Sequence, residues 1–246
     1  MASKVWAGVF DGVGGWADSG VDPSIFSRGL AKHCDAATDQ TPDASPSDIL
    51  AAGYNGVQKD KDIKMGSSTA CVASVGLSDG ELQVANLGDS GYLIVNLAGD
   101  VIHTSKPQIY FFNAPYQLAK MPDHMRSPGS LENKPSDAAP SKHNLRSDEI
   151  VILATDGFFD NIYPSDAAQT VASIARKSNR ASKQEVVNEI AKTLMESARD
   201  AGRSRKNGPF AEEARAHRLR YDGGKEDDIC VVVISVDAVL ATKSKL

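Results

Sequence analysis

Residues 70–90 read ACVASVGLSDGELQVANLGDS. Two Val- and Ala-rich runs, Ala70–Gly76 and Glu81–Asn86, flank Leu77-Ser78-Asp79-Gly80, whose Asp-Gly pair supplies the positive φ that a tight hairpin turn needs. Downstream, Leu93–Leu97 turns through Ala98-Gly99-Asp100 into Val101–Thr104, which continues the antiparallel meander. The strand-like runs are Val5–Phe10, Ser68–Val75 with Leu82–Val95, Ile150–Thr155 and Ile229–Val236, each short, apolar and bounded by Gly, Asp or Asn. Helical spacing appears over Pro23–Cys34, Ser47–Gln58, Ser165–Ala175 and Lys183–Ala201. Asp22 with Pro23 marks one helix start, and Ser182 with Glu185 is a capping-box signature. Helices and strands cluster rather than alternate, so the expected class is antiparallel α+β and not a doubly wound parallel sheet. Asp39–Pro46, Lys120–Glu149 and Gly202–Lys225 read as loops.

The chain has 246 residues, 27 basic against 32 acidic side chains and a net charge of −5. That length buries a full core without staples. The mild acidity argues against a dedicated nucleic-acid binder. No apolar run approaches the roughly 20 residues of a membrane span. Met1-Ala2-Ser3-Lys4 leads straight into strand-like sequence and shows neither a signal nor a transit peptide. Cys34, Cys71 and Cys230 are far apart and odd in number, which excludes a disulfide framework and a zinc cluster. Cys71 and Cys230 sit in apolar runs and read as small buried hydrophobes.

The aspartates carry the functional signal. Asp11 follows Val5–Phe10, Asp89 follows Leu82–Leu87, Asp156 follows Ile150–Thr155, and Asp227 and Asp228 precede Ile229–Val236. Every major strand thus has a carboxylate at one end, and antiparallel strands can bring such ends to one edge. Asp and Gly after a strand are also ordinary turn chemistry, so a single case means little; four together point to a site. Clustered carboxylates repel one another and need cations, and an all-oxygen set points to Mg²⁺ or Mn²⁺.

These residues resemble the motifs of the PP2C (PPM-type) metal-dependent protein serine/threonine phosphatases. Phe10-Asp11-Gly12-Val13-Gly14-Gly15 resembles the Asp-Gly-x-Gly-Gly motif and Gly66–Ala70 the Gly-Ser/Thr-Thr strand. Ala85–Ser90 resembles Ala-Asn-x-Gly-Asp-Ser, Ala154–Asp160 resembles Thr-Asp-Gly-x-x-Asp, and Lys225–Ile229 resembles the C-terminal Asp-Asp/Asn motif. Gly14-Gly15-Trp16, the Phe111–Leu118 stretch, Pro209-Phe210-Ala211 and Gly223-Gly224-Lys225 are similar to the Ptc7-type branch.

The resemblance implies a sandwich of two antiparallel β-sheets flanked by α-helices, in one domain over residues 1–246, with a flap-like insert at about 106–149 that filters substrates. It implies hydrolysis of phosphoserine and phosphothreonine by a metal-bridging water, with two Mn²⁺ or Mg²⁺ ions and a third site, and no protein nucleophile. Asp11 would bridge two ions with the Gly12 carbonyl on one; Asp156 and Asp227 would hold the second, and Asp89 and Asp160 with Asp156 a third. Ser67, Ser68 and Thr155 are expected to serve packing and backbone hydrogen bonds. The partners implied are phosphoproteins, the oligomeric state a monomer, and the location mitochondrial, with plastid or cytoplasm as alternatives.

Two departures stand out. The family's earlier strand, with its Glu-Asp pair and an upstream arginine, has no counterpart here, so the domain is expected to be N-terminally incomplete and the second metal site weakened. Val13 stands where many relatives carry a histidine, and the Ptc7-type branch shares this apolar residue. A catalytically weak or inactive pseudophosphatase that binds phosphoproteins is the alternative reading, and a hydrolase of small phosphoesters is another. His33, His103, His124, His143 and His217 lack ligand spacing. Arg199, Arg203, Arg205, Lys206, Arg215, Arg218 and Arg220 form a basic stretch, a solvated face or a docking surface for acidic phosphoproteins.

Overall fold

A computed structural model describes residues 3–177 and 181–235. In chain order the strands and helices are β1 (Lys4–Val9), α1 (Pro23–Gln40), α2 (Pro46–Lys59), β2 (Gly66–Ser68), β3 (Ala70–Gly76), β4 (Glu81–Leu87), β5 (Gly91–Asn96), β6 (Val101–Thr104), β7 (Ile109–Phe111), β8 (Ala114–Pro115), β9 (Leu118–Lys120), β10 (Ala139–Asn144), β11 (Glu149–Ala154), α3 (Asp156–Phe159), α4 (Pro164–Lys177), α5 (Lys183–Gly202), α6 (Pro209–Ala216) and β12 (Val231–Ser235). Contacts divide them into two compact units. The first runs up to Ser90 and resumes over Pro107–Asn144; the second comprises Gly91–Lys106 and the described residues from Leu145 onward.

The first unit is built on the antiparallel sheet β1-β3-β4-β10. The β3–β4 hairpin expected from residues 70–90 is present, its turn closed by the Gly80 N–H donating to the Gly76 carbonyl at 3.0 Å. Alternation along the strands puts Ala70, Val72, Ala85 and Leu87 on one face, where α1 and α2 bury Phe26, Leu30, Ile49, Leu50 and Val57 against them. The other face carries Val9, Cys71, Ala73, Val84 and Asn86, also buried, so the middle of this sheet is covered on both sides. Asp22 caps α1 by accepting from the Ser24 N–H at 2.9 Å, and Ser45 with Asp48 forms a capping box on α2. Both helices therefore start where a side chain satisfies their free N–H groups.

The second unit repeats the plan with the antiparallel sheet β12-β11-β5-β6. Leu93, Val95, Ile150, Ile152 and Ala154 meet Ala167, Ala168, Val171, Ile190, Leu194 and Ala198 of α4 and α5. Small residues on α4 let it lie close to the sheet. The Ser182–Glu185 capping box opens α5. The second face of this sheet buries Tyr92, Ile94, Val151 and Leu153. The α+β class with antiparallel sheets flanked by helices is thus the observed one.

Several loop and boundary expectations are corrected. Lys120–Glu149 is not a loop throughout: Ala139–Asn144 pairs with β4 as the edge strand β10. Its residues alternate between exposed and half-exposed, and Pro140 is tolerated because an edge strand need not donate on its open side. Gly202–Lys225 contains α6, which starts with Pro209 at its first turn and buries Phe210, Ala211 and Ala214. Leu82–Val95 is broken at Gly88–Ser90, and the last strand starts at Val231, not Ile229. Val236, like Met1 and Ala2, lies outside the described residues. Cys34 and Cys71 are buried, and burial pushes the Cys34 thiol up to about 12; Cys230 is exposed, contrary to expectation.

Phe26 has no exposed surface and lies at the centre of the α1–α2 core. Phe26→Ala should lower the unfolding free energy by about 3–5 kcal/mol, read from urea denaturation. A loss below about 1 kcal/mol would contradict this packing.

Candidate functional site

In the first unit, β1 runs out into Asp11, Gly12 and Val13, which continue to pair with the segment entering β3. The Thr69 N–H donates to the Asp11 carbonyl at 2.9 Å, Gly12 bridges Ser68, and the Val13 N–H donates to the Ser67 carbonyl at 3.2 Å. Asp89 follows β4, whose direction matches that of β1 because both are antiparallel to β3. Asp11 and Asp89 therefore leave the same edge of this sheet, on either side of β3. Ser67 accepts from the Trp16 indole at 2.6 Å and donates to Gln117 at 2.5 Å, while the Thr69 and Ser90 hydroxyls share a hydrogen bond of 2.7 Å. Ser68 donates to the Thr69 carbonyl. These hydroxyls are spent on holding loops to the sheet edge.

In the second unit, Asp156 follows the end of β11 and Asp227 precedes the start of β12. The antiparallel register Ala154↔Val231 brings both to one edge. Thr155 ties the two segments together. Its N–H donates to the Cys230 carbonyl, its hydroxyl accepts from the Cys230 N–H at 3.1 Å, and that hydroxyl donates to the Asp228 carbonyl at 3.3 Å. Gly157 is required by this closeness, because a Cβ there would lie 2.3 Å from the Asp228 carbonyl oxygen. One helical turn after Asp156, Asp160 points back to the same place.

At the centre of these three carboxylates sits the Lys225 ammonium. Its Nζ lies 2.6 Å from Asp156, 2.7 Å from Asp160 and 3.0 Å from Asp227. The lysine backbone is clamped by buried Asn161. The Asn161 amide donates to the Lys225 carbonyl at 2.8 Å and to the Gly157 carbonyl at 2.9 Å, and its oxygen accepts the Lys225 N–H at 3.0 Å. The preceding Gly224 packs so tightly on α5 that a Cβ would come within 2.0 Å of the Ala201 carbonyl oxygen. Burial alone would lower the Lys225 pKa, but the Asp160 and Asp156 carboxylates outweigh it and hold the ammonium above the usual lysine range. Burial, opposed by Lys225 and reinforced by Asp156 and Asp227, pushes the Asp160 carboxyl up to about 6. Burial sets the Asp160 direction and the neighbouring carboxylates the Lys225 one; with three acids around one cation, the cluster keeps an unmet demand for positive charge.

Among the described residues, no group of three or more His, Cys, Asp or Glu side chains stands ready to hold a metal ion. The cluster is instead closed around an ammonium. Its chemistry is nevertheless that of a hard-cation site, with three carboxylates and neither nitrogen nor sulfur donors, and it fits Mg²⁺ or Mn²⁺ where Lys225 gives way. A cavity of about 380 Å³ opens beside it, lined by Arg199, Arg203, Lys225, Glu226, Asp227 and Asp228 among others. Of the basic stretch, only Arg199 and Arg203 reach this cavity, and Arg215, Arg218 and Arg220 are exposed elsewhere. The histidines have other engagements: His33 meets Asp60 at 3.0 Å, His217 meets Glu213 at 3.1 Å, and His103 stacks on Tyr92.

Of the sequence-predicted ligands, Asp156, Asp160 and Asp227 come together in the second unit, and Asp11, Gly12 and Asp89 line one sheet edge of the first. Sequence reasoning missed Lys225 as the cluster's cation and Asn161 as its clamp. Lys225 was findable, because in an extended lead-in residues two apart share a face and it stands two before Asp227. Asn161 carried no signal beyond its place next to Asp160.

The profile described as Stage II sporulation protein E (SpoIIE) matches residues 3–237, which takes in both units. The chain is 36% identical over 232 residues to the 5-azacytidine resistance protein azr1 of Schizosaccharomyces pombe, covering 93% of this chain and 76% of that one. It is 39% identical over 235 residues to the protein phosphatase PTC7 homolog fig of Drosophila sechellia, covering 94% and 72%. The chain belongs to the PP2C-type protein phosphatase family. Among solved structures, the photosystem II phosphatase PBCP is similar at a TM-score of 0.78 and 26% identity, over 96% of this chain and 92% of that one. The Mycobacterium tuberculosis serine/threonine phosphatase PstP/Ppp, at 15% identity and a TM-score of 0.56, shares the fold over 96% and 93% of the two chains. The expected PP2C-type, Ptc7-like membership therefore holds.

Asn161 is the hinge pin of the site in this phosphatase, buried and fully bonded. Asn161→Ala leaves the Lys225 N–H and carbonyl without their partner and should cost about 1–3 kcal/mol in urea unfolding. A change within about 0.5 kcal/mol would show that this clamp carries no weight.

Proposed function

We propose that the protein hydrolyses phosphoserine and phosphothreonine in phosphoprotein substrates with the help of Mn²⁺ or Mg²⁺. The observation that carries the reading is the meeting of Asp156 and Asp160, from one motif, with Asp227, from another 67 residues further on, at one point of the β11–β12 edge. Asp156 and Asp227, with Asp160, would hold a divalent ion; Asp11, the Gly12 carbonyl and Asp89 are proposed as ligands on their motifs. A divalent ion bound there supplies an activated water and neutralises charge on the phosphoryl group.

The rest is done by the chain itself. Thr155 keeps the Asp156 and Asp227 segments side by side, so two carboxylates face one point before any divalent ion arrives. Asn161 fixes the Asp160 turn to the Lys225 segment. Such preorganisation means that little side-chain entropy is left to lose on binding. The hydroxyls of Ser67, Ser68, Thr69 and Ser90 are committed to structural bonds, which suits a reaction that needs no nucleophile from the protein.

We propose further that both units form one phosphatase domain acting as a monomer. Within the 106–149 segment, β10 is anchored to its sheet, and the β7–β8 hairpin, which exposes Tyr110 and Phe111, is the part free to meet substrate. Among the described residues no helix is long and apolar enough to cross a membrane. A mitochondrial location is proposed from the Ptc7-type resemblance alone. One observation favours a second reading: Lys225 already occupies the centre of the acidic cluster, as it would in a pseudophosphatase that binds phosphoproteins without turnover.

Phosphate release from a phosphothreonine peptide separates the two. With Mn²⁺ the protein should turn over. Chelator should abolish release, and Asp156→Ala should reduce it by more than the roughly 10–100-fold typical of outer-shell partners of a metal. Release that survives both would contradict metal-dependent hydrolysis at this cluster; no release with Mn²⁺ would favour the pseudophosphatase.

A further inference from the structure

Lys225 is placed too deliberately to be an incidental surface lysine. Its side chain is only 15% exposed, and its Nζ meets three carboxylates that no other basic group among the described residues is shown to pair with. The backbone that carries it cannot drift, since Asn161 holds its N–H and carbonyl and Gly224 is wedged against α5. The side chain is held by ionic contacts alone. Lys225 also lines the adjoining cavity, and its Nζ lies 5.0 Å from the centre of the Phe210 ring, a face that attracts a cation. The one ammonium thus touches the carboxylates and the Phe210 ring at once, and the cavity beside it leaves room for the side chain to withdraw.

We propose that Lys225 is a built-in counter-ion, which holds Asp156, Asp160 and Asp227 together while no divalent cation is bound and is displaced when one binds. The proposal rests on the metal reading given above and deepens it. Three carboxylates packed together without a cation would repel one another, so an empty cluster would splay or take up protons. An ammonium prevents this, and it also competes: a divalent ion must win the carboxylates from Lys225 before it is held. Lys225 is in this sense a positioning residue that sets how much free metal the protein needs.

Two measurements test it. In the first, the wild-type protein is reductively methylated in chelator and in saturating Mn²⁺, and modification of Lys225 is followed by mass spectrometry. The ammonium should be protected in chelator and become reactive with Mn²⁺; equal labelling in the two conditions overturns the proposal. The second compares Mn²⁺ titration calorimetry and chelated melting of wild type with Lys225→Met, which keeps the stem and removes the charge. The variant should bind Mn²⁺ at least about tenfold more tightly and melt about 4 °C or more lower in chelator. Unchanged or weaker Mn²⁺ affinity overturns the proposal, and so does an unchanged chelated melting temperature.

Asp156→Asn serves to tell the two failures apart. Should Mn²⁺ bind neither wild type nor Lys225→Met, the metal reading of the cluster falls together with this one. Where Mn²⁺ binds wild type, is lost in Asp156→Asn, and leaves Lys225 labelling unchanged, the counter-ion proposal alone falls. Should Lys225→Met fail to fold, the labelling of the wild-type protein still decides.

Discussion

Like charges placed side by side must be neutralised, and the edge of the second sheet is organised around that constraint. Asp156 comes from the end of β11, Asp160 from the turn after it, and Asp227 from the approach to β12, and all three share the Lys225 ammonium. Each surrounding feature serves this meeting. Gly157 gives the room for the two segments to touch, Thr155 binds them, and Asn161 clamps the lysine's backbone. A buried ionic group is retained against its desolvation cost only where its partners are well placed, and here two partners flank strand ends and the third closes the short helix that follows.

The sheets supply the rigidity that such a cluster needs. In each unit, helices cover one face with an apolar core, and the opposite face is buried as well. Strand ends anchored in cores of this kind move little, so side chains just beyond them are held more precisely than side chains on long loops. The same logic applies to Asp11 and Asp89, which leave one edge of the first sheet on either side of β3.

Much of this was legible in the sequence, for reasons that differ by element. The β3–β4 hairpin announced itself through alternation around an Asp-Gly turn, and α5 through its capping box and apolar spacing, since both signals are local. β10 was not legible: its residues are polar and include Pro140, and it becomes a strand because β4 offers an open edge. α6 was hidden because it is short and mostly charged, with its apolar side reduced to Phe210, Ala211 and Ala214. Cys230 looked like core from its apolar neighbours, but it lies just outside β12 and is exposed. At the site, the strand-end aspartates could be read by position. The lysine that answers them had only its spacing, two residues before Asp227, to mark it, and its meeting with Asp156 and Asp160 depends on the β11–β12 pairing.

Anomalous diffraction at the manganese edge, from crystals grown with Mn²⁺, tests most directly whether this edge is the metal centre of a PP2C-type phosphatase. The account predicts a manganese peak bonded to the Asp156 and Asp227 carboxylates, with the Lys225 ammonium withdrawn from them. Crystals that show no such peak, with Lys225 still seated among the three carboxylates at saturating Mn²⁺, would contradict it.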